Sequence, residues 1–183
     1  IISSTAALSL ESVPKKLAIV GGGYIGLEMG SVWRRLGTEV TVIENLPNIT
    51  PGMDTEISKE FQKILTKQGI KFELNSKVSL IEDNGNNVKV EYLDNTKNES
   101  KSLIVDKALM AVGRKPYTEG LNLSKIGIKK DQKGKIKVNK NFQTDLKNIY
   151  AIGDVIEGPM LAHKAEEEGI AVAEILGGQS GHV

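Results

Sequence analysis

The sequence predicts a doubly wound α/β fold, a parallel sheet carrying an antiparallel β-meander, from three observations. Short apolar runs alternate with helix-periodic stretches up to residue 74, a glycine-rich turn joins the first run to the first helical stretch, and the periodicity switches to two between residues 78 and 105. Residues 17–20 form a continuous apolar run of the kind buried on both faces of a parallel sheet. A helix is predicted from residue 24 to 36, with Ile25, Met29, Val32, Trp33 and Leu36 on its apolar face and Gly37 as its stop. A second strand, 40–43, ends in Glu44. After a loop with Pro47, Pro51 and Gly52, Asp54 is an N-cap for a helix from 55 to 68 that presents Ile57, Phe61, Ile64 and Leu65 and closes at Gly69. A third strand follows at 71–74. Strands at 78–81, 88–92 and 103–105 make the meander, with turns at Asp83-Asn84-Gly85 and Asp94-Asn95, and 107–112 returns to the parallel sheet. Beyond a lysine-rich polar stretch come a buried-type strand at 149–152 and a last helix from 163 to 176, stopped by Gly177-Gly178. Its apolar face is expected to hold Ala165, Val172, Ala173 and Leu176, and Glu166-Glu167-Glu168 is expected to be a solvated first turn. Residues 1–14 read as a short helix or turn leading in.

Composition narrows the function classes. Among 183 residues, 24 Lys and Arg against 23 Asp and Glu leave a net charge of +1, which gives no electrostatic reason to expect nucleic acid or an anionic membrane. Aromatic residues at 4% are too few for a stacking platform. The longest apolar runs are strand-length, so no span is expected, and the first residues lack the features of a signal peptide. The absence of Cys excludes a disulfide scaffold or thiolate metal site within this chain, and no metal site is expected.

Gly21-Gly22-Gly23-Tyr24-Ile25-Gly26 satisfies G-x-G-x-x-G directly after a strand and at the opening of a helix, the context a dinucleotide pyrophosphate requires. Gly21 permits the turn, Gly23 lets the phosphates approach the backbone, and Gly26 allows the helix to pack closely on the strand. The helix N-terminus offers N–H groups and a positive dipole end. Glu44, 23 positions beyond Gly21, stands where a carboxylate accepts both ribose hydroxyls. A 2′-phosphate there would meet a like charge, at a cost of up to roughly 4 kcal/mol per unit charge at about 4 Å. No Arg follows to neutralise it, so NAD is expected over NADP.

With those residues goes a wider resemblance. Leu8-Ser9-Leu10, Val13-Pro14-Lys15-Lys16 and the run from Gly21 through Leu27-Glu28-Met29-Gly30-Ser31-Val32-Trp33 closely resemble the dihydrolipoamide dehydrogenase family of flavoprotein disulfide reductases. Gly113-Arg114-Lys115-Pro116 resembles its G-R-x-P element. Thr144 with Ile149-Tyr150-Ala151-Ile152-Gly153-Asp154 resembles its second FAD motif, and Met160-Leu161-Ala162-His163-Lys164-Ala165 its flavin-side segment. The resemblance implies a Rossmann-like NAD-binding domain at 15–143, preceded by a lead-in from the FAD domain at 1–14 and followed by an incomplete FAD-domain part at 144–183. It implies that Gly21, Gly22, Gly23, Tyr24, Ile25, Gly26, Leu27 and Glu28 wrap NAD, with Glu28 near the nicotinamide. It places Glu44 on the adenosine ribose, Val78 against the adenine and Gly113 on the nicotinamide side. FAD would meet Asp154 at its ribitol and Met160, Leu161, Ala162 and His163 at its O2/N1 edge. Other readings stay open: Val78 as a core residue, Asp154 as a turn residue, His163 as a helix start whose backbone alone matters.

The resemblance also implies parts that this sequence lacks: the redox disulfide, the first FAD fingerprint, and a dimerisation domain with a His–Glu pair. The chain is therefore expected to be the NAD-binding piece of an enzyme that reoxidises dihydrolipoamide through FAD to NAD, inactive alone and without catalytic residues of its own. Its parent is expected to be a homodimer serving 2-oxo acid dehydrogenase complexes, in bacterial cytoplasm or the mitochondrial matrix. The alternatives are a related mercuric or NADH-dependent peroxide reductase, or a non-enzymatic nucleotide-binding module.

Overall fold

Leu17, Ala18 and Ile19 are wholly buried because side chains on both faces of their strand are covered. The computed structural model, which describes residues 1–182, sets that strand, β1 (Lys16–Val20), between β2 (Glu39–Ile43) and β7 (Lys107–Met110). With β3 (Lys71–Glu73) the all-parallel order is β3-β2-β1-β7, in the register Ala18↔Thr41 and Ala18↔Ala108. Along β1 the side chains part by period two. Leu17 and Ile19 join a core with Leu27, Trp33, Leu65 and Ile70 under the helices α2 (Tyr24–Arg35) and α3 (Thr55–Lys67). Ala18 joins a second core with Val88, Val90, Tyr92 and Val105 under the antiparallel meander β4 (Ser76–Asp83), β5 (Val88–Asp94) and β6 (Glu99–Val105). Helices cover one face of the sheet and the meander covers the other. The lead-in helix α1 (Ser4–Ala7) buries Ala7 in the helix-side core, and Ile2 forms a parallel bridge to Leu109.

The two expected helical faces hold only in part: Trp33 and Leu65 are buried and Met29 packs on the core, but the rest of each face differs. On α2 the inward residues are Gly26, Leu27, Gly30 and Trp33, while Val32 and Leu36 are half exposed. A Cβ on Gly30 would sit 3.0 Å from Ile19 Cδ1, so the helix meets the sheet through its glycines. On α3 only Ser58 and Leu65 are buried, and Ile57, Phe61 and Ile64 face outward. Asp54 caps α3 as expected, accepting from the N–H groups of Glu56 (2.8 Å) and Ile57 (3.2 Å). In β4 the strict alternation expected at 78–81 is broken by a bulge between Val78 and Leu80, so Val78 and Ile81 both pack on the meander core while Leu80 turns out.

The chain divides into two compact units, Ile1–Gly113 and Arg114–Val183. In the second unit, Ile128, Ile136 and Ile156 form a small core with Phe142 and Ile149. Residues 149–152 do not form the expected strand: Tyr150 alone bridges to Gln143, and Ile152 leads into a 3₁₀ turn, Gly153–Val155. The Thr144 hydroxyl donates to the Ile149 carbonyl (2.9 Å), and Gly153 takes a positive φ of 72°, which stops extension. The last helix, α4 (Ala162–Leu176), buries Glu168 and Ala171, with Ala165 and Val172 half-buried and Ala173 and Leu176 exposed.

Lys101 on β6 ties the meander to the sheet edge, reaching Glu73 on β3 (3.0 Å) and Asp94 on β5 (3.1 Å). The Lys101 ammonium holds the Asp94 carboxyl below its usual range, and the two carboxylates raise Lys101 in turn. A depressed carboxyl stabilises the fold above its unfolded value of 3.8, and that contribution is lost as pH falls through the lower folded value. Lys101→Met is therefore expected to move the acid-unfolding midpoint, followed by circular dichroism, to higher pH; an unchanged midpoint would contradict this.

Candidate functional site

The end of β1 runs straight into the glycine turn, and three bonds to residues outside the motif fix it. Gly21, at φ 108°, donates its N–H to the Ile43 carbonyl (2.9 Å). Gly22 donates to Glu44 Oε2 (2.6 Å), and the Gly22 carbonyl accepts from the Thr50 N–H (2.8 Å). Glu44 is buried at the end of β2, and its other oxygen accepts from Leu46 N–H (2.8 Å). Two backbone donors thus compensate the buried carboxylate.

Each glycine has its own reason. A Cβ on Gly22 would press on Glu44 Oε2 at 3.2 Å, and one on Gly26 would meet the Gly21 carbonyl oxygen and, at 3.1 Å, Ile19 Cγ2. Gly23 differs: its φ of −77° suits any residue, and a Cβ there would have no neighbour within 4 Å. Nothing inside the protein asks for glycine at 23. The open face above it, at the start of α2, is the space a pyrophosphate would take.

Of the other expected NAD residues, Tyr24, Ile25 and Leu27 lie in the first turns of α2, with Leu27 buried. Glu28 is exposed on α2, Val78 is half-buried beside the β4 bulge, and Gly113 is exposed after β7 with φ 137°. All belong to the first unit.

The expected FAD residues belong to the second. Asp154 lies in the 3₁₀ turn, its Oδ2 accepting from Arg114 Nη2 at 2.8 Å, so the G-R-x-P element and the second FAD motif meet in one ion pair. Met160 precedes α4, Leu161 is its N-cap residue with no side-chain capping bond, and Ala162 and His163 open the helix, exposed. Glu168 corrects the expected solvated run. It is 4% exposed, accepts from Gly153 N–H (2.7 Å) and pairs with Lys164 (2.5 Å). Thr50 is also new. Spacing alone gave no sign of it; the Glu168–Lys164 pair did have one, i,i+4 spacing on a helix. Among the described residues no group of three His, Cys, Asp or Glu is placed to hold a metal, and no helix is long and apolar enough to cross a membrane.

The family model described as pyridine nucleotide-disulphide oxidoreductase matches residues 1–169. The chain belongs to that family. It is 53% identical over its whole length to a mitochondrial dihydrolipoyl dehydrogenase of Pisum sativum and 52% identical to a leghemoglobin reductase of Glycine max, covering 36% and 35% of those proteins. The chain thus spans about a third of the length of the curated relatives it matches. Among solved structures, the HOCl-induced flavoprotein disulfide reductase RclA from Escherichia coli superposes with a TM-score of 0.88 at 33% identity, over 99% of this chain and 40% of that one.

Two outcomes are expected of glycine and glutamate replacements. Gly26→Ala should lose about 1–3 kcal/mol of stability through overpacking against backbone, whereas Gly23→Ala should change it by less than about 0.5 kcal/mol; thermal melts showing equal losses would refute the distinction. Glu168→Ala, which strands Lys164 in a buried setting, should cost about 3–5 kcal/mol in urea unfolding of the second unit, and a loss below about 1 kcal/mol, the range of an exposed pair, would remove the buried pair from the account.

Proposed function

We propose that this chain is the NAD(H)-binding part of a dihydrolipoyl dehydrogenase, the flavoprotein that reoxidises dihydrolipoamide and passes the electrons through FAD to NAD. The observation that carries this is Gly23, a glycine that neither conformation nor packing requires, opening onto empty space at a helix start beside Glu44, whose carboxylate is held by backbone N–H groups. Identity above 50% over the whole of this chain to dihydrolipoyl dehydrogenases supports it.

In this reading the run from Gly21 to Glu28 wraps the pyrophosphate, with the Leu27 side chain buried in the core beneath it and Glu28 near the nicotinamide. Glu44 takes the adenosine ribose hydroxyls, Val78 the adenine, and Gly113 the nicotinamide side. The residues of the second unit suit a flavin in their chemistry: Asp154 keeps one carboxylate oxygen beside the Arg114 pair as a hydroxyl acceptor, and Met160, Leu161, Ala162 and His163 lead into a helix whose N-cap residue, Leu161, has no side-chain capping bond. FAD, when bound, supplies the two-electron relay between a dithiol and the nicotinamide. We assign 15–143 to NAD binding, and 1–14 and 144–183 to the FAD-binding part. The chain carries no Cys, so the redox disulfide belongs to another part of the parent, and this chain alone has no dithiol-oxidising activity. The parent acts as a homodimer in a 2-oxo acid dehydrogenase complex, in the mitochondrial matrix of a eukaryote, as the names of several relatives suggest, or in the cytoplasm of a bacterium.

Calorimetry with NADH and NADPH tests the reading. The wild-type chain should prefer NADH by about tenfold or more, since the 2′-phosphate meets Glu44, and Glu44→Gln should narrow the gap chiefly by strengthening NADPH. Equal wild-type affinities would overturn the assignment of Glu44.

A further inference from the structure

Thr50 is a β-branched residue at φ 50°, a region such residues rarely adopt, and it is 7% exposed. Two bonds hold it there. Its hydroxyl donates to the Ile49 carbonyl (2.8 Å), which leaves Ser58 Oγ, also at 2.8 Å and itself buried, to donate to Thr50 Oγ1. The strained backbone has a consequence: its N–H reaches the Gly22 carbonyl at 2.8 Å. A trans peptide is planar, with its C=O and N–H antiparallel, and the described chain has no cis bonds. Drawing the Gly22 carbonyl towards Thr50 therefore turns the N–H of Gly23 the opposite way, on the residue whose missing side chain opens onto free space. The preceding peptide is fixed as well, its N–H taken by Glu44.

We infer that Thr50 is a positioning residue for the phosphate-binding turn: its left-handed backbone, anchored through Ser58, locks the Gly22–Gly23 peptide so that the N–H of Gly23, and not that of Gly22, is presented to a dinucleotide pyrophosphate. This rests on the dinucleotide reading above. It adds a residue from outside the glycine motif, and it assigns the turn's donors: Gly22 serves Glu44 and Gly23 serves the ligand. Thr50 touches no ligand itself; it acts through the peptide it holds.

The test separates the lock from the ligand. In the ¹⁵N-labelled chain without nucleotide, the amides of Gly22 and Thr50 should exchange slowly and that of Gly23 quickly; fast exchange at Thr50 overturns the inference whatever NADH does. NADH titration should then move the Gly23 amide resonance far more than that of Gly22. Thr50→Val keeps the shape but loses the hydroxyl anchor, and should weaken NADH about tenfold, as for one lost hydrogen bond. Thr50→Gly and Thr50→Asn adopt the left-handed conformation and keep the N–H, and should bind within about threefold of wild type even where Thr50→Gly melts lower. Affinities that follow melting temperature across the three variants would reduce Thr50 to a structural residue and overturn the inference alone. A wild-type chain that fails to bind NADH would overturn the dinucleotide reading and this inference with it.

Discussion

Helix α2 lies against β1 only because Gly26 and Gly30 bring no side chain to the contact. A Cβ at Gly26 would meet the Gly21 carbonyl oxygen and Ile19 Cγ2 at 3.1 Å, and one at Gly30 would meet Ile19 Cδ1 at 3.0 Å, so a methyl group at either would force its neighbours to give way. That approach sets the height of the helix start over the strand ends, and with it the tightness of the turn at Gly21. A tight turn brings the Gly22 N–H within reach of Glu44, and the Gly22 carbonyl within reach of the β2–α3 loop. The site follows from how closely a helix can approach a strand.

Two buried glutamates solve similar problems in the two units. Glu44 accepts from Gly22 N–H and Glu168 from Gly153 N–H, at 2.6 and 2.7 Å. In both cases a carboxylate takes up a donor at a turn where a glycine stands at or beside a positive φ, and a buried donor left unmet would be costly. The difference lies in the counter-charge. Lys164 neutralises Glu168, which suits a residue that only supports structure. Glu44 has two backbone N–H groups and, among the described residues, no ion-pair partner. A supporting carboxylate is best neutralised; on the reading proposed above, one that discriminates against a 2′-phosphate is not.

What the sequence made legible follows from what periodicity can carry. The strands of the first unit, the glycine turn and the place of Glu44 at the end of β2 are legible because a doubly buried strand is apolar throughout and the glycine spacing marks the turn. The helix faces were not, because hydropathy ranks Val32 and Leu36 above glycine, whereas the packing of α2 selects glycine for its size. The 149–152 strand was misread because an apolar run does not reveal whether partners exist to extend it; here Thr144 and Gly153 end it after one bridge. Glu168 looked like part of a solvated triple, since burial of one charge in three depends on a turn fifteen residues earlier. Thr50 was beyond reach for the same reason: its importance lies in a backbone angle and in a bond to a residue far off in sequence.

The Arg114–Asp154 pair shows how little stability need be involved in joining two motifs. Its side chains are 51% and 35% exposed, and such a pair contributes about 0–1 kcal/mol. That is too little to hold a fold together, yet it fixes which Asp154 oxygen is occupied. Asp154 already sits in a 3₁₀ turn whose Gly153 is held by Glu168, so its backbone is set from below by a buried bond and its carboxylate is set from the side by an exposed one. The buried bond does the structural work, and the exposed one orients the acceptor. A carboxylate meant only to stabilise would gain more from being buried with its partner, as Glu168 is. One left at the surface with a single oxygen engaged contributes little stability, which is what the flavin reading proposed for Asp154 would ask of it.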